Sequence, residues 1–403
     1  MPVKNRKQSS SHSEIDKESN VCTTYNPLFL EGTCSSHYSD TAALLIDEVF
    51  LSLAEADCEL ANPCNYPPQY NPRDWEEFDF IIVGAGSAGS VVANRLTEIA
   101  GWTVLLIEAG GDPPKTSEVP NLRGALHNTE YQWHYRSNSE EPTCLGFTGS
   151  QCSCEMGKML GGSSSHNGLI YIRGNRKDYD GWEAQGNVGW SYKDVLPYFK
   201  KSEDMRAPGV KCTPDFFDYH SVGGPLKVDD LNIDNTEPIP ALLVGGLSEL
   251  GYFINPDHNG RYQSGFCRVS GTVEEEPFKA VNARFHEVYV RSCSKFPYDS
   301  RPYRECFLRH MSSSSYHFVG TCRMGPPGHP EAVVDPQLRV QGVSRLRVID
   351  ASVMPKITRG NTNAPTIMIA EKGSDLIKHT WLSTPYSGAE GFSRVLPIPH
   401  RGW

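Results

Sequence analysis

Between Phe78 and Gly110 the chain reads FDFIIVGAGSAGSVVANRLTEIAGWTVLLIEAG, which holds every part of a dinucleotide-binding βαβ unit in order. Phe78, Phe80, Ile81, Ile82 and Val83 form a short apolar run of the kind found in strands buried on both faces of a parallel sheet. Gly84, Gly86 and Gly89 then supply G-x-G-x-x-G. The first glycine permits a tight turn, the second lets backbone approach a pyrophosphate, and the third lets helix pack on strand. A helix from about Ser87 to Ala100 aims its free N–H groups and positive dipole end at that pyrophosphate. The second strand, Thr103 to Ile107, ends in Glu108, where a carboxylate accepts hydrogen bonds from ribose hydroxyls and disfavours the extra phosphate of NADP.

The rest of the composition narrows the class. The 403 residues are enough for two or three domains. A net charge of -10 and the absence of a basic stripe argue against nucleic acid as a partner. The stretch Thr41 to Ala56 is interrupted by Asp47 and Glu48 and reads as a packing helix, too short for a membrane span. The first residues, MPVKNRKQSSSHSEIDKESN, contain no apolar core of a signal peptide. Cys22, Cys34, Cys58 and Cys64, among twelve cysteines, instead resemble an extracellular disulfide framework. Cys144, Cys152 and Cys154 lie close together without partners at zinc-site spacing, so thiols or disulfides are expected and no metal.

Along the chain, Pro67, Pro68 and Pro72 mark a boundary before the first strand. GKMLGGSSSHNGLIYIRGNRKDYDGW, from Gly157 to Trp182, offers a second close approach of backbone to ligand. Ser191 caps a helix over SYKDVLPYFKKSED, and another helix is expected near Ile239 to Leu250. From Met205 to His310 no further strand pattern is legible. Leu346 to Ile349 reads as a strand, and a final helix starts near Asn363, with Pro365 in its first turn.

Four blocks together resemble the glucose-methanol-choline (GMC) family of FAD oxidoreductases, particularly its arthropod glucose dehydrogenase-like members. They are VGAGSAGSVVANRL with LLIEAG, the GKMLGGSSSHNG block, YHFVGTCRMGP, and LRVIDASVMPKITRGNTNAPTIMIAEK. The resemblance implies an α/β plus α+β fold, a Rossmann-like FAD-binding domain with a reduced antiparallel-sheet substrate domain. It divides the chain into an extension (1–74), the FAD-binding part (75–205), the reduced substrate domain (206–315), a catalytic and C-terminal FAD-binding segment (316–385) and a tail. The family's second signature is missing, and an internal gap is expected near Val273 to Pro277.

Carried over by position, the resemblance implies that Gly84, Gly86, Ser87, Ala88 and Gly89 hold the pyrophosphate and Glu108 the ribose. Met159, Gly162, Ser163, Asn167, Gly168 and Ile170 line the flavin side. Asp350 and Ala351 close over the phosphate and ribityl region, while Asn363, Ala364 and Pro365 set a helix N-terminus by the flavin's pyrimidine edge. His317 aligns with the catalytic base and Asn361 with its partner. The implied reaction oxidises the CH–OH group of a sugar or alcohol and passes electrons to a quinone-like acceptor or oxygen. Two alternatives stay open: an inactive, shortened member that only binds FAD or serves as a scaffold, and a nicotinamide-dependent dehydrogenase, against which the GGSSSHNG block argues. The family's arthropod members are often secreted, which agrees with the cysteines but not with the N-terminus.

Overall fold

A computed structural model describes residues 69–117, 126–138, 143–231, 238–266, 270–272, 290–298, 300–312 and 315–383. Residues 1–68 of the N-terminal extension with its four cysteines, the expected helix over 41–56 among them, and the join near 273–277 lie outside the described residues.

The expected βαβ unit is present. Strand β1 (Phe80–Val83) pairs in parallel with β2 (Val104–Ile107), Phe80 opposite Val104, with α1 (Ser87–Thr97) between them in sequence. Ala88, Val92, Ala93 and Leu96 make the buried stripe of α1, the spacing a one-sided helix requires. The expectation that β1 is buried on both faces fails, because its residues alternate. Phe80 and Ile82 pack into the core, whereas Ile81 and Val83 are 59% and 82% exposed. Among the described residues β1 and β2 pair only with each other. Helices therefore cover one face, and the other opens on a cleft.

Next come a two-stranded antiparallel ribbon, β3 (Gln132–Trp133) with β4 (Met156–Gly157), and two helices, α2 (Arg176–Ala184) and α3 (Tyr192–Ser202). Ser191 forms a capping box with Asp194 at the start of α3, as its position predicts. Beyond α3 lies a three-stranded sheet of β5 (Glu203–Met205), β6 (Leu226–Asp230) and β7 (Ser270–Gly271). It is mixed, with β5 parallel and β7 antiparallel to β6, so the expectation of a purely antiparallel sheet is corrected. The helix expected near Ile239 is α4 (Pro238–Glu249), and α5 (Arg301–Met311) is one the sequence did not announce. Leu346 to Ile349 is not a strand: only an isolated bridge between Arg339 and Arg347 forms there, and Leu346 is 48% exposed.

The last helix, α6 (Asn363–Leu382), organises the molecule. It is buried from Ala364 to Ser374, without the polar face of a surface helix. Its charged residues are accordingly paired. Glu371 accepts two hydrogen bonds from Arg95 of α1, at 2.8 and 2.7 Å. Lys372 Nζ donates to Gly189 O at 2.7 Å and lies 5.1 Å from the rings of Trp190 and Tyr198. α6 thus joins the βαβ unit to a core that includes Trp182, Trp190, Tyr179 and Phe199.

A buried charge network ties the stretch after the GKMLGGSSSHNG block to the mixed sheet. Arg173 Nη2 donates to Glu203 Oε1 at 2.6 Å, and neither side chain is exposed. His220 bridges two carboxylates, its Nδ1 3.1 Å from Glu203 Oε2 and its Nε2 2.9 Å from Asp257 Oδ2. Burial opposes charge on His220, yet hydrogen bonds to Asp257 and Glu203 outweigh it and raise its pKa above the ordinary 6.5. Burial likewise disfavours the Glu203 and Asp257 carboxylates, but Arg173 and His220 outweigh it and hold both pKa values below their ordinary ones.

A two-sided pH dependence of stability follows. The His220 contribution is complete below pH 6.5 and is lost as pH rises through the higher folded value; the carboxylate contributions are complete above their ordinary values, 4.5 and 3.8, and are lost on acidification. Thermal unfolding followed across pH should show His220→Gln removing the alkaline limb, worth about 1.4 kcal/mol per pH unit while one proton is released. An unchanged alkaline limb would mean that His220 is neutral in the folded chain.

Candidate active site

Two glycine-rich loops meet at the C-terminal end of β1. Gly84, with φ +97°, turns the chain out of the strand into α1. A Cβ on Gly89 would sit 1.9 Å from Gly84 O, so no side chain fits where α1 crosses that turn. The loop after β4 closes from the other side: Gly161 N donates to Ala85 O at 2.8 Å, and a Cβ on Gly162 would meet Gly86 Cα at 2.9 Å. Two backbones in direct contact, without side chains between them, form one wall of a cleft of about 1960 Å³.

Two helix N-termini converge at this wall. Ser87, the first residue of α1, donates through Oγ to Asn363 Oδ1, on the first residue of α6, at 2.7 Å. Two positive dipole ends side by side suit an anionic ligand. Glu108 is oriented by both the loop after β1 and its own, Oε2 accepting from Ala85 N at 2.7 Å and Oε1 from Gly110 N at 2.9 Å. Asp350 caps a short turn, accepting from Ser352 N at 2.8 Å.

The expected catalytic pair is brought together from positions 44 residues apart. Asn361 Nδ2 lies 3.2 Å from His317 Nε2. Burial lowers the pKa of His317 below 6.5, which leaves its imidazole neutral and able to take a proton at neutral pH. Tyr316 just before it adopts φ +60°, a left-handed conformation unusual for an aromatic residue, and so sets the direction in which His317 leaves the backbone.

Gly84, Gly86, Ser87, Ala88, Gly89, Glu108, Gly162, Ser163, Asn167, Gly168, Ile170, His317, Asp350, Ala351, Asn361 and Asn363 all line this cleft. Met159 and Ala364 do not. Met159 is fully buried behind the glycine loop and Ala364 is 3% exposed in the first turn of α6, so both support the wall from behind.

Three further residues face the cleft that sequence reasoning did not select. Glu155 Oε2 is 2.7 Å from His127 Nδ1, a pair formed across 28 residues. Burial disfavours the Glu155 carboxylate, but the hydrogen bond and charge of His127 help outweigh it and lower its pKa. His166 is held neutral, chiefly by burial and then by repulsion from His127, and its Nε2 is buried without a partner among the described residues. Only His166 had a legible signal, being the one titratable side chain inside GGSSSHNG.

Comparison with known proteins settles the family. The sequence profile of the GMC oxidoreductase N-terminal region matches residues 78–301, and that of the C-terminal region matches 247–370. The chain belongs to the GMC oxidoreductase family. It is similar to glucose dehydrogenase [FAD, quinone] of Drosophila pseudoobscura pseudoobscura, 26% identical over 580 aligned positions that take in 83% of this chain and 92% of the relative. That alignment is longer than the whole 403-residue chain, so it leaves long gaps on this side. The Drosophila melanogaster glucose dehydrogenase [FAD, quinone] is 40% identical over 54% of this chain, which matches about a third (34%) of that relative. Pyridoxine 4-oxidase from Mesorbium loti shares the fold, with TM-score 0.62, 19% identity, and coverage of 75% of this chain and 99% of that one.

Proposed function

We propose that this GMC protein is an FAD-dependent oxidoreductase of CH–OH groups in sugars or alcohols, with His317 as the base. The observation that carries the reading is that the cleft joins the paired His317 and Asn361 to the glycine cradle and the two helix N-termini. FAD fits that cradle on the chain's own terms: backbone contact leaves no room for a Cβ at Gly89 or Gly162, and His166 Nε2 offers an unused polar atom. Gly84 to Gly89 would hold the pyrophosphate, Glu108 the ribose, and Gly162 to Ile170 the flavin side.

When bound, FAD supplies the acceptor for the hydride leaving the carbinol carbon. His317 Nε2 takes the hydroxyl proton of the same group, and the Asn361 amide holds that oxygen in place. The N-terminus of α1 would favour the pyrophosphate, and that of α6 would favour negative charge at the flavin's pyrimidine edge. A quinone-like compound or oxygen would be the final electron acceptor. Two disulfides, Cys144–Cys152 and Cys293–Cys306, support folding in an oxidising, extracellular compartment.

The test is anaerobic addition of sugars and alcohols to the purified chain while its flavin absorbance is followed. Bleaching supports the reading, and flavin bands that no substrate reduces would refute it. One observation favours the second reading, a shortened member that binds FAD without turnover. Ile81, Val83 and Ile107 expose apolar surface on the open sheet face, where an internal stretch absent from this chain would supply cover, and the gapped 580-position alignment agrees.

Gly89→Ala provides a cofactor test independent of turnover. Its new methyl meets Gly84 O and displaces α1 from the turn, so the variant should purify without most of its flavin absorbance. Full flavin content would mean that the cradle does not bind the pyrophosphate.

A further inference from the structure

Part of the cleft is a groove between two backbone edges. Phe80 N donates to Thr103 O at 3.1 Å and Gly84 N to Ile107 O at 2.7 Å, so β1 turns these residues toward β2. Alternation then turns the N–H and C=O groups of Ile81 and Val83 to the other edge, where no described strand pairs with them. Across the groove, Val340 N donates to Leu346 O at 3.0 Å and Val348 N to Leu338 O at 3.2 Å. This bridge uses the backbone of Leu346 and Val348, so that of Arg347 and Ile349 turns the opposite way. Residues 79–84 and 343–350 line the same cleft.

Helices α1 and α6 form the floor between these edges. Phe80, Ile82 and Ile349 pack on one apolar cluster that includes Val92, Leu96 and Ile377, although β1 and the 346–349 stretch do not pair with each other. The two edges also run the same way along α6. The Phe80 ring lies 6.3 Å from that of Trp381, and Ser87, just after the strand, reaches Asn363 at the other end of α6. Arg347 Nη2 donates to Thr380 Oγ1 at 3.0 Å, while Ile349 lies against Gly373, nearer the helix start.

One cation in the groove is unmatched. Arg347 Nε is buried without a hydrogen-bond partner among the described residues. Burial lowers the pKa of this guanidinium below the ordinary arginine value, and repulsion from Arg339 adds to this against the attraction of Asp335. The carboxylates beside it are already engaged: Asp79 Oδ2 accepts from Thr103 N at 2.7 Å and from Thr103 Oγ1 at 2.8 Å, and Asp335 pairs with Arg339 at 2.7 Å.

We propose that this groove docks one extended segment of another polypeptide, which enters as a strand between β1 and the 346–349 stretch, parallel to both, and sets a carboxylate on Arg347. Its alternate apolar side chains cover the α1–α6 floor, and its backbone pairs with both edges. A fatty acid would meet the floor and Arg347 but leave the two edges unpaired. The inference goes beyond the reaction at His317 and does not depend on it.

The test combines fluorescence anisotropy with amide hydrogen exchange on the purified chain. The probe is a labelled peptide, ETVTVT, whose Glu and two valines fall on one face of a strand. It should bind and slow exchange at the Ile81 and Val83 amides by at least about tenfold. KTVTVT, with Lys in place of Glu, should bind about tenfold more weakly, and Arg347→Gln should remove that preference. The exchange and the preference of wild type for ETVTVT are read without the variant, so they decide the matter even if Arg347→Gln does not fold. Absent binding, equal binding of the two peptides by wild type, or binding that leaves both amides unprotected would overturn the proposal. Decanoate binding in place of ETVTVT would assign a lipid groove and overturn it too. So would amides already protected in the chain alone, which would mean that this chain or a second copy fills the edge.

Discussion

His317→Ala should slow anaerobic flavin reduction by about 10²–10⁴-fold while leaving flavin content unchanged, the loss expected when a positioned general base is removed. Asn361 Nδ2 sits 3.2 Å from His317 Nε2, close enough for both groups to reach one substrate oxygen in the proposed reaction. A pH profile separates a base from a merely structural histidine. Burial sets the His317 pKa below 6.5, and a base must be deprotonated to act. The wild-type rate should therefore rise with pH through that lowered value and level off, and the rising limb should vanish in the variant. A variant that reduces as fast as wild type, or that keeps the limb, would remove His317 from the chemistry.

Arg173→Met should cost about 3–5 kcal/mol of stability, the penalty for breaking a buried ion pair and leaving one charge uncompensated. Arg173 is fully buried; its Nη1 donates to Tyr219 O at 2.7 Å, its Nη2 to Glu203 at 2.6 Å, and its own N–H to Asn259 Oδ1 at 2.9 Å. The side chain thus fastens the stretch after the glycine loop to β5 and the turn before His220, while the backbone of the same residue ties in the loop around Asn259. The strand residue would remain, but Glu203 and Asp257 would share the single His220. Denaturant unfolding of Arg173→Met, Glu203→Leu and the double variant checks this. The double variant should be less destabilised than the sum of the singles, because it leaves no orphaned carboxylate at position 203. Strict additivity would show that the pair is not coupled.

The parts of this molecule legible in the sequence are those encoded locally. G-x-G-x-x-G, the apolar runs around it, the Ser191 cap and the Asn363 helix start each depend on neighbours within a few residues. The exposure of Ile81 and Val83 was not legible, because an apolar run does not say whether a second layer is present to cover it. Strands β5 and β7, three and two residues long, are too short to show alternation. The pairing of His317 with Asn361 came from family resemblance, and the fold brings the two into contact. Glu155 and His127 had neither local pattern nor family position to mark them; only the β3–β4 ribbon and the loop beside it place them together.

FAD binding by this chain rests on the cradle built by Gly84, Gly86, Gly89 and Gly162 beside an open β1–β2 sheet face. The decisive measurement is the absorbance spectrum of the purified 403-residue chain, followed by identification of the nucleotide released on denaturation. The expected result is flavin bands and FAD in close to one-to-one ratio with protein. A soluble, folded and colourless chain that takes up no added FAD would contradict it.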